Sequence, residues 1–175
     1  MKMAKKLLAV VLAGVLAVSL LTGCGGAVST KAIAEAMSDK SIAEAMSDVG
    51  KDEGVVYQAD PELDEKARQI AAMTVEGEEG NGSGNAKDIY DKIMHIMGEG
   101  YADKYVWIAA TTTEGNDVMT QASNLLEDVD EDEDSNINSA VPNGTSPANV
   151  RSIGTAPITM NGVDCRLAVI TADAV

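Results

Sequence analysis

Apolar positions along this chain follow three spacings: one unbroken run, a period of three to four residues, and strict alternation. Leu7 to Leu21 is the unbroken run, uncharged and preceded by Lys2, Lys5 and Lys6. Helical spacing begins at Asp60-Pro61, where Asp is a good N-cap and Pro suits the first helical position, and Leu63, Ala67, Ile70 and Ala71 then share one face. Thr74 to Gly84 has no periodicity and reads as an exposed loop, rich in Glu and Gly. A second helix is predicted after Asn85, carrying Ile89, Ile93 and Ile96 or Met97 inward until Gly98 and Gly100 stop it. Tyr105 to Ala110 is a strand with both faces apolar, Tyr105, Trp107 and Ala109 on one and Val106, Ile108 and Ala110 on the other. A third helix, from about Thr113 to Leu126, presents Val118, Ala122, Leu125 and Leu126. After the acidic run Glu127 to Asp134 and a Pro/Asn/Gly/Ser-rich segment through Asn149, alternation returns in a hairpin, Ile153 to Met160 and Val163 to Thr171. Its turn is Asn161-Gly162, the pair that best tolerates the positive φ angles of a type I′ turn. Val163, Cys165, Leu167 and Val169 fall on one face of the second strand, which makes Cys165 a core residue rather than a reactive thiol.

A nine-residue duplication lies between the first run and this domain: Lys31-Ala-Ile-Ala-Glu-Ala-Met-Ser-Asp39 recurs as Lys40-Ser-Ile-Ala-Glu-Ala-Met-Ser-Asp48. Nine steps of about 100° put the copies half a turn out of phase, so one continuous helix cannot bury Ile33 and Met37 together with Ile42 and Met46. Two short helical turns joined at Ser38-Asp39 are expected, the second opened by a capping box of Ser41 and Glu44. Two copies are too few for a stacked repeat fold, so the segment reads as a spacer rather than a partner-binding helix. The expected division is 1–23 as a signal, 24–54 as spacer and 55–175 as the folded domain, starting near Val55.

Leu21-Thr22-Gly23-Cys24 places a cysteine behind two small residues at the end of the apolar run, an order that resembles a bacterial lipoprotein signal. The run is shorter than the roughly 20 residues a membrane-spanning helix needs. The resemblance implies that Cys24 is thioether-linked to diacylglycerol, becomes the new N-terminus, and holds the chain on the membrane facing outside the cytoplasm. Acyl chains contribute about 0.8 kcal/mol per buried methylene, and two or three of them anchor durably. The segment before Cys24 holds three lysines and no acid, so its removal takes the net charge from −15 to −18. A surface that acidic repels nucleic acid and anionic headgroups. Cys165 is the only other cysteine, which leaves no intrachain disulfide, and the core is left to Ile, Val, Leu, Met and Ala because Phe is absent.

The order of elements resembles the cysteine-rich secretory protein, antigen 5 and pathogenesis-related superfamily, the CAP or SCP-like domain. The motifs that carry the likeness are Asp60-Pro61-Glu62-Leu63 with Ala67, then Gly100-Tyr101, Ile108-Ala109-Ala110, Asp117-Val118-Met119 and Ser152-Ile153-Gly154-Thr155. The resemblance implies an α/β fold, a three-layer α-β-α sandwich with a C-terminal β-hairpin, and a cleft whose remnant here comprises Asp117, Trp107 and Tyr105. The family's cleft holds a divalent metal on two histidines and two acids. At the matching strand positions this chain has Val106 and Trp107, the segment bearing a family histidine is replaced by Glu127 to Asp134 and Ser135-Asn136-Ile137-Asn138, and only Asp117 keeps its chemistry. The single histidine, His95, sits within the second helix, so no zinc site and no Ser-His-Asp triad can be assembled around it and Cys165.

Other chemistries find less support. Gly80-Asn-Gly-Ser-Gly84 lacks the Lys-Ser/Thr of a phosphate loop. Asp130, Asp132 and Asp134 alternate like the start of a calcium loop, but position six is Ser135 and position twelve Val141, so weak calcium association is the most they offer and a solvated loop is favoured. No cofactor and no metal are expected. The resemblance thus implies a non-catalytic binding or scaffolding module, with a small molecule or an envelope component as partner. Its rivals are an enzyme using Asp117 with Glu114 in a reshaped cleft, and a structural envelope protein with no dedicated ligand.

Overall fold

The structure, a computed structural model, describes residues 39–79, 86–130 and 135–175. Cys24, the first copy of the duplication before Asp39, most of the glycine-rich segment, Asp132 and Asp134 lie outside those residues. Within them the chain is mixed α/β. Four α-helices, α1 (Asp39–Val49), α2 (Pro61–Glu79), α3 (Ala86–Met97) and α4 (Val118–Asp130), accompany four strands, β1 (Val56–Ala59), β2 (Lys104–Thr112), β3 (Pro147–Met160) and β4 (Val163–Ala174). The strands form one sheet in the order β1-β3-β4-β2. β1 runs parallel to β3, while β4 is antiparallel to both β3 and β2.

The sheet is covered on both faces, which is why its central strands are apolar at successive positions rather than at alternate ones. Ile42, Met46, Trp107, Ala122, Leu125, Ile153 and Ile170 meet on the face under α1 and α4. Leu63, Ala67, Ile70, Ile93, Met97, Val106, Ile158, Leu167 and Val169 meet on the face under α2 and α3. The expected helical face of α2 and both faces of β2 are therefore present, and the C-terminal hairpin turns at Asn161 (φ 50°) and Gly162 (φ 81°). Asp60 accepts the Glu62 amide at 2.9 Å on its side chain, the cap expected of it.

Several boundaries differ from the expectation, among them β3, which starts at Pro147 rather than Ile153. The second copy of the duplication is core, not spacer: Ile42 and Met46 are 0 % exposed, and Ala43 and Ala45 are buried beside them. The folded part thus reaches back at least to Asp39, not to Val55, because these apolar residues fill the space between α4 and the sheet. Ser41 lies inside α1 and is no N-cap. Thr74 to Glu79 continue α2 instead of opening a loop. Glu76, Glu78 and Glu79 are good helix formers, and once a helix is nucleated Gly77 costs only about 1 kcal/mol. α4 begins at Val118 rather than Thr113, since the Thr113 amide and hydroxyl both donate to the Asp164 carbonyl (2.9 and 3.0 Å) and hold residues 113–117 in the turn leaving β2. It then runs into the acidic stretch as far as Asp130, because Val129 packs in the core.

Two side chains close the sheet's outer edges. At β1 the Tyr57 amide donates to Ser47 Oγ (2.8 Å), whose hydroxyl reaches the Tyr57 carbonyl at 3.1 Å. At β2 the Val106 amide donates to Asn136 Oδ1 (2.9 Å) and the Ile137 amide donates to the Val106 carbonyl (2.9 Å). Asn138, buried, directs its amide nitrogen to the carbonyls of Tyr101, Ala102 and Lys104 at 3.1, 3.0 and 2.8 Å. These bonds pair the outward backbone groups of Tyr57 and Val106 within the chain.

Candidate functional site

Of the three residues expected to share a cleft, Trp107 and Tyr105 meet and Asp117 does not join them. Trp107 points from the middle of β2 into the core under α1 and α4 and is 4 % exposed. Tyr105, on the same face, stacks against it with ring centroids 5.6 Å apart and planes 15° off parallel. Its hydroxyl donates to the Thr145 carbonyl at 2.6 Å. The Arg151 guanidinium covers the Trp107 ring at 5.1 Å and the Tyr57 ring at 5.8 Å, and donates to the Tyr57 hydroxyl at 3.1 Å. This arrangement follows from register. Tyr57, Arg151, Ala172 and Tyr105 lie in one row across all four strands, and the small Ala172 lets the arginine reach toward β2. A cation over an aromatic face is attracted by the ring's quadrupole, so Arg151 takes the volume an open pocket would need.

Asp117 lies elsewhere. Thr112 ends β2 five residues beyond Trp107, about 16 Å along an extended strand, and Asp117 follows a further turn. It is exposed, and its Oδ1 accepts the Thr120 amide at 2.8 Å while its carbonyl accepts the Gln121 amide at 3.0 Å. The Thr120 backbone amide, seconded by the Thr120 hydroxyl, holds its carboxyl below the usual carboxylate range. Asp117 therefore acts as the N-cap of α4. Glu114, proposed as its partner, is exposed and accepts the Asp164 amide at 3.4 Å.

No family model matches this chain, and neither a characterised protein nor a solved structure does. The remaining chemistry must be read from its own side chains. Cys165 is half-buried against the α2/α3 face, and burial pushes its thiol above the ordinary range, with the Asp164 and Glu114 carboxylates adding to the effect. His95 is exposed on α3 and lines an open, mainly apolar depression of about 420 Å³ with Met73, Asp91, Lys92 and Ile96. A second depression of about 370 Å³ lies over Asp103, Lys104, Thr145 and Asp173, where Lys104 and Asp173 pair at 2.5 Å. Among the described residues no three His, Cys, Asp or Glu side chains come together as a metal site, and no helix is long and apolar enough to cross a membrane. Asp130 ends α4, and its two companions in the calcium motif are outside the described residues.

One buried polar constellation escaped sequence reasoning. Arg166, 1 % exposed, donates from Nε to Gln121 Oε1 and from Nη1 to Thr155 Oγ1, both at 2.9 Å. Gln121 is itself 0 % exposed and passes an amide hydrogen to the Asn116 carbonyl at 3.0 Å. These bonds tie α4 to β3 and β4. An arginine at an alternating position of a hairpin reads as solvent-facing, and only the presence of Gln121, 45 residues away, reveals otherwise.

Proposed function

We propose that this chain is a lipid-anchored extracytoplasmic protein, held to the membrane through an acylated Cys24, whose folded part is a degenerate CAP-like three-layer sandwich serving as a non-catalytic binding or scaffolding module at the cell envelope. The lysines, apolar run and Leu21-Thr-Gly-Cys24 order support the anchor. Helices on both sheet faces support the family likeness, as do Asp60-Pro61 opening α2, Gly100-Tyr101 after α3, Asp117-Val118-Met119 opening α4 and Ile153-Gly154 in β3. The observation that carries the non-catalytic reading is the filled space around Trp107, with Tyr105 stacked on one side and Arg151 over the ring. A partner is then met on the acidic exterior.

Cross-linking in intact cells tests this reading. The expected result is a discrete cross-linked species that persists in Asp117→Asn and is lost when Cys24→Ala releases the chain from the membrane. Loss of that species in Asp117→Asn, with the fold intact, would return the function to a cleft at Asp117.

A further inference from the structure

The seat that α1 occupies is filled by few side chains. Ile42, Ala43, Ala45 and Met46 fill it, and Ser47 joins it to β1 by accepting the Tyr57 amide at 2.8 Å. Ser47 also reaches the Ala43 carbonyl within its own helix at 2.9 Å. The first copy of the duplication supplies the same side chains in the same order: Ile33, Ala34, Ala36, Met37 and Ser38. The copies differ at one position, Ala32 against Ser41, and Ser41 is only half-buried. Beyond the motif Lys40 would stand where Val49 ends α1, a position 40 % exposed that admits a lysine.

From this we infer that the groove between α4 and the sheet is a binding site for the nine-residue motif as such, and that the first copy can replace the second in it within one chain. The two exclude each other, because copies half a turn out of phase cannot both turn their Ile and Met to the groove. With the first copy seated, residues 41–49 form a loop before Gly50. The entropy of closing such a loop rises only slowly with its length, whereas the groove's apolar contacts are kept. The second copy, which needs no loop, is the resting occupant. The exchange does not depend on the anchoring proposed above. Where Cys24 carries lipid, it brings the folded part nine residues closer to the membrane.

Trp107 is the chain's only tryptophan and lies in the core that α1 covers, so its fluorescence reports the seat. Thermal melts are followed on the full chain in detergent. Ile42→Asp with Met46→Asp should keep a cooperative Trp107 transition, shifted downward, because Ile33 and Met37 take over. Adding Ile33→Asp and Met37→Asp should abolish the transition, whereas those two changes alone should leave it where the parent has it. Deleting residues 40–48 joins the first copy to Val49 directly and should preserve the transition, again only while Ile33 and Met37 are intact. If Ile42→Asp with Met46→Asp unfolds the chain as completely as the fourfold variant, or is rescued only in a dimer by size measurement, the exchange within one chain is wrong.

Discussion

Replacing Gly154 by Ala should be among the most damaging single-methyl changes in this protein. Gly154 lies in β3 where the first turn of α2 crosses it. A Cβ built there falls 2.1 Å from the Leu63 carbonyl carbon, 2.3 Å from the Asp64 nitrogen and 2.5 Å from Leu63 Cβ. Two of the three are backbone atoms, which cannot swing aside. To reach ordinary contact at 3.4 Å, helix and strand must part by the difference from 2.1 Å, about 1.3 Å. The junction is pinned on both sides of Gly154: the Asp60 amide donates to the Ile153 carbonyl at 2.8 Å, and the Thr155 amide donates to Asp64 Oδ1 at 3.0 Å. Overpacking alone costs about 1–3 kcal/mol, and a stretched hydrogen bond to a carboxylate adds roughly 1.5–3 kcal/mol, so a total of about 3–5 kcal/mol is expected. That is a large part of the roughly 5–15 kcal/mol by which domains are stable. Urea melts of parent and Gly154→Ala, followed by Trp107 fluorescence, measure it. A loss under about 1 kcal/mol would refute the close approach of α2 to β3. Gly98→Ala is the contrasting case. Its φ of 87° and ψ of 177° lie in a region open essentially to glycine alone, but no atom lies within 4 Å of the added carbon, so only the backbone strain, on the order of 1–3 kcal/mol, should appear.

Other outcomes follow from the same geometry. Gly162→Val, at φ 81° in the hairpin turn, should cost about 1–3 kcal/mol in a urea melt, because Val163, Cys165, Leu167 and Val169 all take their register from that turn. Tyr101 is pushed from 10.0 up to about 12, first by burial and then by the Glu62 and Asp60 carboxylates. The folded state thus keeps a proton that the unfolded chain releases: this contribution is fully present below pH 10 and is lost as pH rises through 12, so Tyr101→Phe should flatten the stability profile in that window. Cys165, in a chain bearing Cys24→Ala, should react with a thiol reagent far more slowly when folded than in urea at the same pH, since burial disfavours its thiolate. Equal rates would mean that the α2/α3 face over β4 is open.

The elements most legible in the sequence are those governed by local rules. Asp60-Pro61 announces α2 because capping and a fixed φ act within a few residues, and Asn161-Gly162 announces the hairpin because its turn demands positive φ. The two apolar faces of Tyr105 to Ala110 reveal a buried strand for the same reason. What stayed hidden depends on partners far along the chain. The burial of Ile42 and Met46 is set by α4, Arg166 is held by Gln121, and Gly154 is required by the backbone of Leu63. The duplication was the most misleading signal, because repetition suggests slack while a single copy is all the groove accepts. Asp117 shows the converse error. An acid at the start of a helix serves first as its cap, and Asp117 lies past the end of the strand that carries Trp107 into the core.

Lipidation of Cys24 is the claim on which location and mode of action both rest. Growth of bacterial cells expressing the full chain with an alkyne fatty-acid analogue, followed by intact mass measurement of the purified protein, tests it directly. The account predicts a labelled product that begins at residue 24 and stays with the membrane fraction, and, from Cys24→Ala, an unlabelled product released from the membrane fraction. A released, unlabelled chain from the parent sequence, or a label that survives Cys24→Ala, would contradict it.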